Sequence, residues 1–246
     1  MEDHIFSVIF AAVFILIICA IYFDRMSKKK KFESFMKIIP GELKSDLIFR
    51  TFSLTGYWNG KKVNLELIPG DKHSPSKFHI YFYRDIPISL VISSETALQN
   101  IFKKAFGYKD IEIGLPGFDR EYIIQSDDEV KTKQFLNTWR CELINDFFKK
   151  DFIKIAMVKS QPELLKELSS TSADEEVRQN NSFGLFKISG GATNINTILN
   201  CFLNLSSNSF NLWKEAGSFV LLEKNNYLPS KEELMEVLIH MEKLVK

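Results

Sequence analysis

The sequence predicts an α+β protein: an N-terminal transmembrane helix followed by a largely antiparallel sheet with packed helices. Three observations predict it. Residues 5–23 (IFSVIFAAVFILIICAIYF) form one apolar run of 19 residues in which only Ser7 is clearly polar. Beyond it come short runs of β-prone residues, and Asn59-Gly60 stands between two of them. That dipeptide supplies the two positive-φ residues of a type I′ hairpin turn. The chain ends in an apolar stripe at helical spacing, opened by the capping box Ser230-x-x-Glu233.

The apolar run spans roughly 28 Å at about 1.5 Å per residue, close to the ~30 Å hydrocarbon core of a bilayer. A cleaved signal peptide needs a basic leading segment, a shorter apolar stretch and a small-residue cleavage site. Here Glu2, Asp3 and His4 precede the run, and Tyr22 and Phe23 end it. Arg25, Lys28, Lys29, Lys30 and Lys31 follow it. The positive-inside rule therefore places residues 1–4 outside the cell membrane and everything after residue 23 in the cytoplasm. These five bases are candidate contacts to the membrane surface, and the lipid bilayer is the first expected partner.

Charge narrows the remaining classes. The whole chain carries +1, the tail −2 and residues 24–33 +3, which leaves residues 34–246 formally neutral. Nucleic-acid-binding domains carry a basic excess, so no nucleic-acid partner is expected. Three Cys in 246 residues exclude a disulfide scaffold. The 22 Phe, and Lys outnumbering Arg by 26 to 6, fit an A/T-rich genome and carry no functional weight.

Each element then has a local reason. Phe32, Phe35, Met36, Ile38 and Ile39 suit either a short interfacial helix or a linker, ended by Pro40-Gly41, so residues 24–40 read as a basic juxtamembrane linker and 41–246 as the cytoplasmic domain. Residues 47–54 and 63–68 are strands around the Asn59-Gly60 turn. Residues 77–83 and 86–92 are a second pair joined by Arg84-Asp85. Ser93 or Ser94 caps a helix with Ala97, Leu98, Ile101, Phe102 and Ala105 as its apolar stripe, stopped by Gly107. Residues 111–114 and 121–125 are strands around Leu115-Pro116-Gly117. Asp127 or Asp128 opens one long helix to about Lys149, with Leu136, Trp139, Leu143, Phe147 and Phe148 inward. Residues 152–158 and 218–223 are strands. Residues 169–182 are polar and read as a loop or flexible insert.

Two motifs carry a resemblance. Gly56-Tyr57-Trp58-Asn59-Gly60-Lys61-Lys62-Val63 and Gly114-Leu115-Pro116-Gly117-Phe118-Asp119 resemble the Gly-x-x-x-Gly-basic-x-Val hairpin and Gly-x-x-x-Phe-Asp turn of a loose group of bacterial single-pass membrane proteins. The similarity covers about residues 50–160. It implies an anchored domain and no particular reaction.

Candidate sites are few. Gly190, Gly191, Thr193 and Asn194 sit between an expected strand and helix, where backbone N–H groups can hold an anion. The stretch lacks the Gly-Lys-Ser/Thr of a phosphate loop, and a turn with a helix cap is its default reading. Tyr57 and Trp58 at the hairpin tip are candidate partner contacts if exposed. Asp119 either bonds turn amides or joins Arg120 and Glu121 in a site. His4, His73, His79 and His240 form no metal motif, so no metal is expected; His79 reads as a surface residue and His240 as solvated. Cys141 and Cys201 read as buried small hydrophobes. No cofactor is expected. The function expected is a protein-interaction or adaptor module at the membrane. The alternative is an enzyme with an anion or nucleotide site near Gly190-Gly191.

Overall fold

The computed structural model describes residues 2–46, 51–70, 72, 74–94, 110–126, 128–159 and 218–246. The apolar run lies in a single helix, α1 (Glu2–Phe35). Within it Ile9–Phe35 is long and apolar enough to cross a membrane, and the most apolar window, of mean hydropathy 2.2, is wholly unburied.

Helix α1 does not end at its lysines. Phe32 and Phe35, in its last turn, are fully buried, as is Ile39 just beyond. The Ile39 N–H donates to the Phe35 carbonyl at 2.9 Å, continuing the helical turn. Positions 32, 35 and 39 share one helical stripe, and the stripe faces the sheet. Phe32 stacks on Phe52 at 5.6 Å and meets Phe78 edge-on at 6.3 Å. The basic stretch is thus the end of a structural helix whose tip belongs to the domain core.

The sheet follows directly. Its strands are β1 (Gly41–Asp46), β2 (Thr51–Trp58), β3 (Lys61–Ile68), β4 (Lys77–Tyr83), β5 (Leu90–Ser94), β6 (Tyr122–Ser126), β7 (Phe152–Val158) and β8 (Phe219–Asn225). Among the described residues they form one sheet in the order β1-β2-β3-β4-β8-β7-β5-β6, antiparallel at every junction. Asn59 (φ 48°) and Gly60 (φ 71°) make the two-residue turn of the β2–β3 hairpin.

Gly56 pairs with Gly41 across β1 and β2. A methyl group on Gly56 would fall against the Pro40 carbonyl oxygen and 2.9 Å from Ile39 Cγ2. Both atoms belong to the segment that locks α1 onto the sheet. Gly56→Ala is therefore expected to cost about 1–3 kcal/mol through overpacking, read as a lower urea midpoint with an unchanged slope.

Several expectations change. Strands β4 and β5 do not pair: β4 lies between β3 and β8, and β5 between β7 and β6. Pro87 cannot donate to a ladder, and Ile86 and Ile88 are instead buried in the non-strand connection. Ser93 and Ser94 are the last residues of β5; the helix expected after them lies outside the described residues. Residues 111–114 form no strand. Asp110 Oδ1 accepts from the Ile124 N–H at 2.9 Å, so a side chain takes a ladder position. Pro116–Glu121 is a short helix, α2.

The single long helix expected before Lys149 is two, α3 (Glu129–Phe135) and α4 (Thr138–Lys149), capped by Asp128 and Asn137. Asn137 takes the Arg140 N–H at 3.1 Å, which restarts the helix and turns Trp139 outward. The final helix, α5 (Lys231–Leu244), has the capping box in full. One sheet face packs on the end of α1, α4 and α5 through Phe52, Phe78, Ile80, Leu222, Phe147 and Leu238.

Candidate functional site: a buried polar row

Strand periodicity sorts the side chains. On β3, Val63, Leu65 and Leu67 face the core, which turns Asn64 and Glu66 to the opposite face. On β4, Phe78, Ile80 and Phe82 face the core, which turns His79 and Tyr81 away. Strand β8 places Glu223 on that same second face. The registers then align Ser53, Glu66, His79, Glu223, Lys154 and Ser93 as successive cross-strand partners over six neighbouring strands.

Asn64, Glu66, His79, Ser93 and Glu223 are all buried. The Asn64 carbonyl oxygen accepts from the Ser53 and Thr55 hydroxyls, each at 3.0 Å, and its amide donates to Glu66 Oε1 at 3.0 Å. His79 Nδ1 lies 3.1 Å from the Tyr81 hydroxyl, and Nε2 lies 3.5 Å from Glu223 Oε2. Lys77 Nζ meets Glu223 Oε1 at 2.7 Å, and Lys154 Nζ meets Oε2 at 3.4 Å. Burial alone would raise the Glu223 carboxyl; the adjacent His79 imidazole and the Lys154 and Lys77 charges outweigh it and hold the group well below the usual carboxylate range.

From the sequence His79 reads as a surface residue, and Asn64 and Glu66 are its neighbours on β3. All three are buried. The usable signal was polar alternation in β3 and β4; β8 does not alternate, and what sets Glu223 beside His79 is the β4–β8 register, which joins residues more than a hundred positions apart. A carboxylate-backed imidazole touching a tyrosine hydroxyl can hold or relay a proton. A cleft of about 430 Å³ between α4 and α5 and one of about 300 Å³ beside α1 are both lined by residues outside the row. Among the described residues, no three His, Cys, Asp or Glu side chains converge as metal ligands.

The other sequence candidates separate. Gly190, Gly191, Thr193 and Asn194 lie outside the described residues, as do residues 169–182, His73 and Cys201. Tyr57 is 61% exposed. Trp58 is not an exposed tip residue: it packs into the core against Phe82, with ring centroids 6.4 Å apart. Asp119 accepts from the Ile113 and Gly114 N–H groups at 3.0 and 2.9 Å, which holds Gly114 at φ 85°. It is a turn residue. His240 is not fully solvated. It rests on the Phe147 ring at 6.0 Å, and burial, with Lys150 nearby, lowers its pKa. Cys141 is buried, and that burial pushes its thiol up to about 11, away from nucleophilic chemistry.

The bases after the apolar run are not one free surface. Lys28 pairs with Asp24 at 2.7 Å and Lys29 reaches Glu33 at 3.9 Å. Lys31 donates to the Leu228 carbonyl at 2.5 Å and lies over the Tyr227 ring at 5.0 Å. Lys30 is exposed. Arg25 lines the cleft beside α1.

No family model, curated protein or solved structure matches the chain. The residues of the two sequence motifs do local work here: Gly56 permits a close strand approach, Gly60 and Gly114 take positive φ, and Asp119 holds a turn.

Proposed function

We propose that the chain is a single-pass membrane protein, N-terminus outside, whose α+β domain is seated on the cytoplasmic surface as a docking module for a protein partner. One observation carries this reading: the helix with the wholly unburied apolar window is the same helix whose tip fills the sheet's core through Phe32 and Phe35. A domain fixed to its anchor in this way meets the membrane in one attitude and presents one face to the cytoplasm. The Arg and Lys that follow the apolar run support the orientation.

The partner face supported best is that of α4 and α5. Trp139 is 41% exposed there, and it lines the 430 Å³ cleft with Leu143, Glu142, Asp146, Lys243 and Lys246. An exposed tryptophan beside charges of both signs is the composition of an interaction hot spot and its rim. With Trp58 buried, the hairpin tip offers only Tyr57.

The test is photo-crosslinking in cells expressing the 246-residue chain, with the reactive residue at Glu142 or at Tyr57. One dominant protein adduct from Glu142, lost in Trp139→Ala, is expected. An adduct from Tyr57 alone contradicts the choice of face, and no adduct above background from either position contradicts the docking reading.

A further inference from the structure

The cleft beside α1 lies where the apolar run gives way to charge. Ala20 and Ile21, from the apolar run, form one wall, and Arg25, Lys28 and Asp24 continue it. Phe52, Leu67 and the Pro69-Gly70 turn form the other. Its volume of about 300 Å³ is at the lower end of small-ligand sites, about 300–1,000 Å³.

Arg25 is the unusual member. Its Nε is buried and has no hydrogen-bond partner, and no ion pair engages it among the described residues. Asp24, the one carboxylate of the cleft, is held instead by Lys28 at 2.7 Å. Two cations and one anion leave the cleft with a net charge of +1. A buried N–H donor without an acceptor is costly, and Arg25, only partly buried as a residue, ends in a planar fork that matches phosphate oxygens.

Given the anchor reading, depth decides the source of the phosphate. Arg25 stands two residues past Phe23, about 3 Å further along the helix axis, at the level where headgroups meet acyl chains. We infer that this cleft binds the phosphate of an anionic phospholipid, Arg25 gripping the phosphate oxygens, Lys28 assisting, and the acyl chain running along Ala20 and Ile21. A lipid held there would join α1 to the β2–β3 side of the sheet.

The inference rests on the proposed membrane anchor, so the experiment reads the two separately. The 246-residue chain in mild detergent is melted with short-chain phosphatidylglycerol, short-chain phosphatidylcholine or inorganic phosphate. Phosphatidylglycerol is expected to raise the melting temperature by several degrees, and the other two to leave it in place. Arg25→Gln is expected to abolish the shift, Arg25→Lys to reduce it, and Lys30→Gln, outside the cleft, to retain it. A shift that survives in Arg25→Gln, an equal shift with phosphatidylcholine, or no shift at all overturns the site. An equal shift with inorganic phosphate overturns the lipid as its source. Carbonate extraction of cells reports on the anchor alone: wild type and Arg25→Gln are both expected in the membrane pellet, and release of the wild type overturns the anchor.

Discussion

Phe32→Ala is expected to lower the unfolding free energy of the 246-residue chain by about 3–5 kcal/mol, the range for truncating a buried aromatic. Phe32 is fully buried and touches Phe35, Phe52 and Phe78, so the sheet cannot close over the gap without moving three rings. That loss is a large share of a domain's usual 5–15 kcal/mol. Phe35→Ala is expected to act similarly, whereas Leu16→Ala, at a position 68% exposed, is expected to leave domain unfolding in detergent unchanged. Urea titration followed by tryptophan fluorescence distinguishes them. Equal midpoints for Phe32→Ala and wild type would show that the helix tip is a passive tether.

Glu223→Gln is expected to cost about 3 kcal/mol, the lower end for breaking a buried ion pair, because Lys77 and Lys154 retain some access to solvent. The carboxylate's folded pKa is depressed, so its contribution is present above the ordinary carboxyl value of 4.5 and is lost as pH falls below it. Melting temperatures of the wild type are expected to drop steeply from about pH 5 towards pH 3. Those of Glu223→Gln are expected to start lower and fall less. Parallel curves would mean that Glu223 does not carry the acid sensitivity.

Much of the architecture was legible in the sequence because its causes are local. The apolar run, the Asn59-Gly60 turn and the Ser230–Glu233 capping box each act within a few residues. What was not legible depends on register and on neighbours far along the chain. Nothing near Ile86 shows that β5 will pair with β6 and β7, although Pro87 signals the interruption. Asn137 was a visible cap, overlooked because the apolar spacing runs across it. The phenylalanines after Lys31 have the spacing of a packed stripe, but only the sheet shows that they face a core and not a bilayer interface. His79 gains its neighbours from β3 and β8, so its burial and its place beside Glu223 follow from topology alone.

The central claim is that helix α1 and the sheet are one rigid body. The direct measurement is a distance distribution between spin labels at Lys30, on α1, and Tyr57, on β2, in the 246-residue chain with its native cysteines replaced, reconstituted into lipid nanodiscs. A single narrow distribution is predicted, broadening in Phe32→Ala. A broad distribution in the otherwise native background would show a flexible joint between helix and sheet, and would contradict the account.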